Sequence, residues 1–215
     1  MSDLLAVLQH LMQLGVTAPG LIAGHAASAG ALTLAAAINQ QPEWFSAVVL
    51  EAPYVDWVAG TGAVTEAGMR LVGDHVLTEH ETDEWGDPWE DPAVAELVCR
   101  LCPYTNLRAG VPYPAVMLTA GLEDSRVPWW MPVKYAAKLR SMQTKGSKPT
   151  NNSRSSGGHG RDSVREAGTC GAAEVLLQFD ASGSHFSMGL SGGNLQDAAL
   201  QQAFLITHTP CEGSG

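Results

Sequence analysis

Basic residues are scarce in this chain. Twelve lysines and arginines face twenty-two acids, for a formal net charge of −10. A surface of that sign repels a phosphate backbone, which argues against nucleic-acid binding and leaves room for cationic substrates. Long apolar runs are missing too. A membrane span needs about 18 or more consecutive apolar residues. The nearest candidate, Leu21 to Ile38, is interrupted by His25, Ser28 and two glycines. The N-terminal stretch MSDLLAVLQHLMQLG has no basic region of the kind that opens a secretory signal. Cysteine is limited to Cys99, Cys102, Cys170 and Cys211. Cys99 and Cys102 have CxxC spacing without a second pair, so they read as core or surface thiols rather than a metal or redox site. The compartment expected from these absences is the cytoplasm.

What is present suits one domain. The chain has 215 residues, 45% of them hydrophobic, enough for a sizeable core. The first segment reads as an amphipathic helix, with Leu4, Leu5, Leu8, Leu11 and Met12 on one face and Ser2 as its N-cap. Short apolar strands are then expected at Gly20–Gly24, Phe45–Glu51, Ala115–Thr119 and Glu174–Phe179. Helices are expected from Ser28 to about Asn39, over VPWWMPVKYAAKLRSM, and over NLQDAALQQAFLITH, where residues 195, 199, 200, 203, 204 and 206 are apolar. Five-residue strands alternating with helices predict a parallel sheet covered on both faces. Active sites of such sheets lie beyond the carboxyl ends of the strands.

Two regions break the alternation. Val58 to Pro92 is acidic and long, and is expected to carry short helices or a lid. Residues 143–172 are rich in Ser, Gly, Asn and Lys and read as a disordered low-complexity insertion. His159, in GGHGRD, is taken as solvent-exposed.

The chemistry begins at GHAASAG, Gly24 to Gly30. A strand, a sharp turn bearing Ser28 and then a helix make a nucleophile-elbow pattern, with Ala26 and Gly30 two residues either side of the serine. The same residues also suit close packing of a helix on a sheet. A serine nucleophile needs a general base, and the base needs an orienting carboxylate. Asp124 follows the AVMLTAG strand and His185 follows VLLQF. The order Ser, Asp, His, each after a strand, points to a catalytic triad.

At this level of detail a family resemblance emerges. GHAASAGALTLAAAINQQPEWFSAVVLEAPYVD resembles the segment around the nucleophile in the prolyl oligopeptidase family of serine peptidases. YPAVMLTAGLEDSRVP resembles that family's aspartate loop and FDASGSH its histidine loop, while EWGDP and CPYTNL are most similar to the oligopeptidase B branch. The resemblance covers nearly the whole chain outside the insertion. It implies an α/β-hydrolase fold, three αβα layers around a mostly parallel sheet, acting on oligopeptides without metal or cofactor. It implies Ser28 as nucleophile, His185 as base and Asp124 as orienting acid, with the Ala29 N–H as one oxyanion donor. The family's second donor, a tyrosine upstream of the elbow, has no counterpart here. Glu81 and Asp83 match the carboxylates that bind a basic P1 side chain in the oligopeptidase B branch. Arg126 matches an arginine that holds a substrate carbonyl in the prolyl-specific branch. Cleavage after Arg or Lys and cleavage after Pro therefore both stay open.

The departures matter as well. The family has glycines where this chain has Ala26 and Ala27, and extra methyl groups are expected to crowd the elbow. The family's β-propeller and the first strands of its sheet have no match, so the chain is expected to be the C-terminal half of a catalytic domain. Its first strand would then expose an edge for strands supplied by another chain. An esterase on the same triad, or a fragment acting as an interaction surface, are the rival readings.

Overall fold

A computed structural model describes residues 1–60, 83–144, 173–185 and 195–210. The elements in chain order are α1 (Ser2–Gln13), β1 (Ile22–Ala27), α2 (Ser28–Gln40), a 3-10 turn at Pro42–Trp44, β2 (Phe45–Glu51), α3 (Trp57–Gly60), α4 (Pro92–Leu101), β3 (Ala115–Gly121), α5 (Trp130–Thr144), β4 (Val175–Asp180) and α6 (Leu195–His208). The four strands form one parallel sheet in the order β1-β2-β3-β4.

Alternation along the strands sorts the core into two sides. Val48, Leu50, Val116 and Leu118 pack with Ala31, Leu34, Ile38, Tyr135 and Leu139 of α2 and α5. Ala47, Val49, Ala115 and Met117 point the other way, onto Phe204 and Leu205 of α6. Every residue of β3 is buried, as a strand covered on both faces requires. Leu4, Leu5, Leu8, Leu11 and Met12 of α1 are half-buried while Val7 is exposed, and Leu4, Leu5, Leu8 and Met12 pack on the α2 side. Helix α2 lies close to the sheet because the strand beneath it is bare. A Cβ on Gly24 would come within 3.0 Å of Leu34 and 3.1 Å of Val48.

Several details differ from the sequence reading. The N-cap of α1 is Met1, with Ser2 already inside the helix. Strand β1 runs Ile22–Ala27 rather than Gly20–Gly24, because pairing with Ala47–Glu51 carries it up to the serine. Helix α4 was not foreseen. Its start is nonetheless written as Asp91-Pro92, where Asp91 Oδ1 accepts the Ala93 N–H at 2.8 Å and Pro92 occupies the first turn. Of the apolar positions noted in α6, Leu195, Leu200 and Ile206 are exposed, while Phe204 is buried together with the neighbouring Gln201 and Leu205.

Cys99 is exposed and Cys102 buried, both free thiols. Burial pushes the Cys102 thiol pKa up, against hydrogen bonds from Thr105 that lower it. Cys170, Cys211, His159 and most of the 143–172 insertion lie outside the described residues. Among the described residues no helix is long and apolar enough to cross a membrane.

Candidate active site

The end of β1 passes into α2 without a loop, so the first helical residue must turn the chain sharply. Ser28 is that residue, with φ of +52°. An L-residue in this left-handed region is strained, typically by about 1–2 kcal/mol. Within the elbow sequence itself, Ser28 carries that positive φ. Ala27 is ordinary extended backbone, φ −125° and ψ 153°, and Ala26 is half-buried against the core. Neither alanine has a positive φ. Among the described residues, nothing lies within 4 Å of a hypothetical Cβ on Gly30, so none of them demands that it lack a side chain.

Neighbouring backbone holds the elbow in place. The Tyr54 N–H donates to the Ser28 carbonyl at 3.1 Å. Ala52 just before it also has positive φ, +37°. Its N–H donates at 3.0 Å to the hydroxyl of Thr119, a fully buried polar side chain of β3.

The loops after β3 and β4 bring two more groups to the serine. The Ser28 hydroxyl lies 3.0 Å from His185 Nε2. On the far side of the ring, His185 Nδ1 lies 2.8 Å and 3.1 Å from the two Asp124 carboxylate oxygens. A carboxylate can only accept, so Nδ1 carries the proton and Nε2 offers a lone pair to the Ser28 hydroxyl. Asp124 Oδ1 also accepts the N–H groups of Arg126 and Val127, both at 2.8 Å. The side chains of His185 and Asp124 are 7% and 1% exposed, so this chain of bonds runs out of bulk water. Burial pushes the Asp124 carboxyl pKa up, but the bonds from His185, Val127 and Arg126 and the charge of His185 together outweigh it. The net effect holds Asp124 below its ordinary value.

The two loops are tied to each other. Leu122 N–H donates to Asp180 O and Glu123 N–H to Gly183 O, each at 3.0 Å. Asp180 Oδ1 accepts the backbone N–H and the hydroxyl of Ser182 at 2.8 and 2.9 Å. Those bonds keep the Asp180 carboxyl below its ordinary range and brace the turn that leads to His185.

Ser28, Asp124 and His185 thus meet beyond the carboxyl ends of β1, β3 and β4. Ala29 is exposed in the first turn of α2. N–H groups of that turn have no acceptor within the helix and sit at its positive end. Arg126 has an exposed side chain and contributes its backbone N–H to Asp124. Asp83 is exposed in a helical turn at 83–85, and Glu81 lies outside the described residues. Two supports went unread in the sequence. One is Thr119, a hydroxyl inside the apolar run AVMLTAG. The other is the pair of His25 Nε2 and Glu51 Oε1, 2.6 Å apart beside the elbow. Glu51 is 2% exposed, and an acid closing an apolar strand was the available signal.

Comparison with known proteins decides the family. Residues 1–175 match the prolyl oligopeptidase family. The chain belongs to that family. Its members are serine peptidases, and the sheet and helices described above are those of their α/β-hydrolase catalytic domain. Among curated relatives, the chain is 33% identical over 164 residues to dipeptidyl aminopeptidase BI of Pseudoxanthomonas mexicana, covering 76% of this chain and 21% of that protein. It is 32% identical over 203 residues to prolyl endopeptidase-like of Gallus gallus, covering 94% and 24%. Among solved structures, oligopeptidase B of Trypanosoma brucei with covalently bound antipain matches at a TM-score of 0.70 and 29% identity, over 96% of this chain and 24% of that one. Oligopeptidase B of Leishmania major matches at 0.67 and 28%, over 97% and 24%. The chain spans about a quarter of the length of these family members.

Proposed function

We propose that this chain carries the catalytic centre of a serine-type oligopeptidase that hydrolyses peptide bonds through an acyl-enzyme. The observation behind the reading is the 3.0 Å contact of Ser28 Oγ with His185 Nε2 on a backbone strained to present the serine. In the proposed sequence, Ser28 Oγ attacks the scissile carbonyl carbon while His185 Nε2 takes the hydroxyl proton. Asp124 keeps the ring oriented and balances the charge of the imidazolium. The Ala29 N–H faces the developing oxyanion. His185 then gives its proton to the leaving amine as the C–N bond breaks. Water, deprotonated in turn by His185, attacks the acyl-serine, and His185 returns the proton to Ser28 Oγ as the C–O bond breaks and the peptide acid is released.

For selectivity, a basic P1 side chain is the favoured reading. The net charge of −10, the acids Glu81 and Asp83, and the likeness to oligopeptidase B structures support Arg or Lys over Pro. Arg126 supports the prolyl alternative. Strand β1 pairs with β2 alone among the described residues, and its free edge would accept a strand from another segment or chain. The site-directed test is labelling with a fluorophosphonate probe. Labelling of the wild-type chain that vanishes in Ser28→Ala is expected. A folded wild-type chain that takes up no label would sink the proposal and favour a role as an interaction surface.

A further inference from the structure

Asp56 is an acid in an otherwise apolar stretch, PYVDW, and is 2% exposed. A carboxylate that deep must be paired or densely hydrogen-bonded. Its Oδ1 accepts the Ala59 N–H at 3.1 Å, and its Oδ2 pairs with Lys134 Nζ. Lys134 Nζ in turn lies over the Tyr104 ring, 4.3 Å from its centre, a favourable placement for a cation. Tyr104 is fixed at both ends of its backbone. Its carbonyl accepts Lys138 Nζ at 2.6 Å, and its N–H donates to Val55 O at 2.9 Å.

The two ends of this pair belong to the two halves of the triad. Asp56 follows Tyr54, whose N–H holds the Ser28 carbonyl. Lys134 lies early in α5, directly after the turn in which the N–H groups of Arg126 and Val127 hold Asp124. Val127, just before that helix, and Met131, in its first turn, pack in one cluster with Tyr54 and Trp57. An apolar pair could fill the same space, often at no loss of stability. The charged pair adds a contact to that packing whose strength depends on the separation and geometry of its two groups.

We infer that Asp56 and Lys134 are positioning residues whose ion pair fixes the distance between the nucleophile elbow and the acid loop. Its kinetic consequence rests on the reading of Ser28 as nucleophile; its geometric consequence, a defined His185–Asp124 hydrogen bond, does not. A 1 Å displacement of a reacting group can reduce a rate about a hundredfold.

The test uses the full chain in three forms: wild type, Asp56→Asn, and the charge-balanced Asp56→Asn/Lys134→Met. Two quantities are read beside the melting temperature. One is the downfield proton resonance of His185 Nδ1–H, assigned by its loss in His185→Ala. The other is the fluorophosphonate labelling rate. The double variant is expected to melt near the wild type, because no lone charge is left buried. Its resonance should broaden or move, and its labelling should slow by about ten- to a hundredfold. Asp56→Asn, which keeps shape but removes the charge, should move both readouts the same way. A wild type without the resonance overturns the inference. So does a resonance and labelling rate unchanged in either variant. If no form is labelled while the resonance still depends on the pair, the peptidase reading falls and the positioning role stands.

Discussion

Gly121 and Gly183 meet backbone to backbone: a Cβ on Gly121 would lie 2.2 Å from the Gly183 carbonyl oxygen. Gly121 ends β3, which leads to Asp124, and Gly183 lies two residues before His185. The contact lets the acid loop and the base loop lie close enough for a 2.8 Å hydrogen bond between their side chains.

Gly121→Ala should therefore damage the site more than a surface change of the same size. The added methyl meets rigid backbone, so one loop must move. A loss of about 1–3 kcal/mol in stability is expected, with labelling of Ser28 slowed by about a hundredfold. Gly30→Ala is the control, since none of the described residues lies within 4 Å of its added carbon. It should gain about 0.5 kcal/mol, as a helical glycine replaced by alanine does. Denaturation curves and labelling rates on the two variants check both statements.

Replacing Ser28 should separate strain from chemistry. Ser28→Ala and Ser28→Gly both remove the nucleophile and should both be unlabelled. Alanine keeps the strain of a φ of +52°, whereas glycine adopts that angle freely. Glycine is also the looser residue in the unfolded chain, which offsets part of the gain. Ser28→Gly is expected to be more stable than Ser28→Ala by up to about 1 kcal/mol. Equal melting temperatures would mean that the turn is relaxed.

Asp124 makes stability depend on acid. Its carboxyl is held below the ordinary value of 3.8 in the folded chain, so the unfolded chain takes up a proton first as pH falls. The stabilisation is then fully present above that ordinary value and is lost as pH drops through the folded one. The melting temperature of the wild type should exceed that of Asp124→Asn near neutrality. The gap should narrow below about pH 4. A constant gap across that range would show that the ionised carboxylate adds nothing.

If Glu81 and Asp83 bind a basic P1 side chain, their neutral variants should affect one substrate class only. Glu81→Gln and Asp83→Asn are each expected to lower kcat/KM for Arg and Lys substrates about tenfold, the worth of one charge-assisted hydrogen bond. Proline substrates should be cleaved as before. Equal losses on both classes, or none on either, would remove these acids from the pocket.

Much of the site was legible because its logic is local. Phe45–Glu51 stands as a strand at the expected bounds, since its apolar run is bracketed by Pro42 and Pro53. Ser28, Asp124 and His185 each follow such a run, and a parallel sheet gathers the carboxyl ends of its strands on one side. Helix α4 was missed although its Asp91-Pro92 start is a strong local signal, because the acidic residues before it dominated the reading. In α6 the apolar positions misled. Leu195, Leu200 and Ile206 are exposed while Gln201 is buried, so composition along that helix does not name its inner face.

By itself, then, the sequence determined the alternation of strands and helices, the parallel sheet and the three groups that meet at its edge. Periodicity and residue type carry that information along the chain. Only the tertiary structure decided how the three groups are held. The strain at Ser28, the bare contact of Gly121 with Gly183, the Tyr54 N–H on the Ser28 carbonyl and the Asp56–Lys134 pair all join segments distant in sequence or depend on exact backbone angles. Distances across space leave no periodic trace along the chain, and each of these was visible only once the chain had folded.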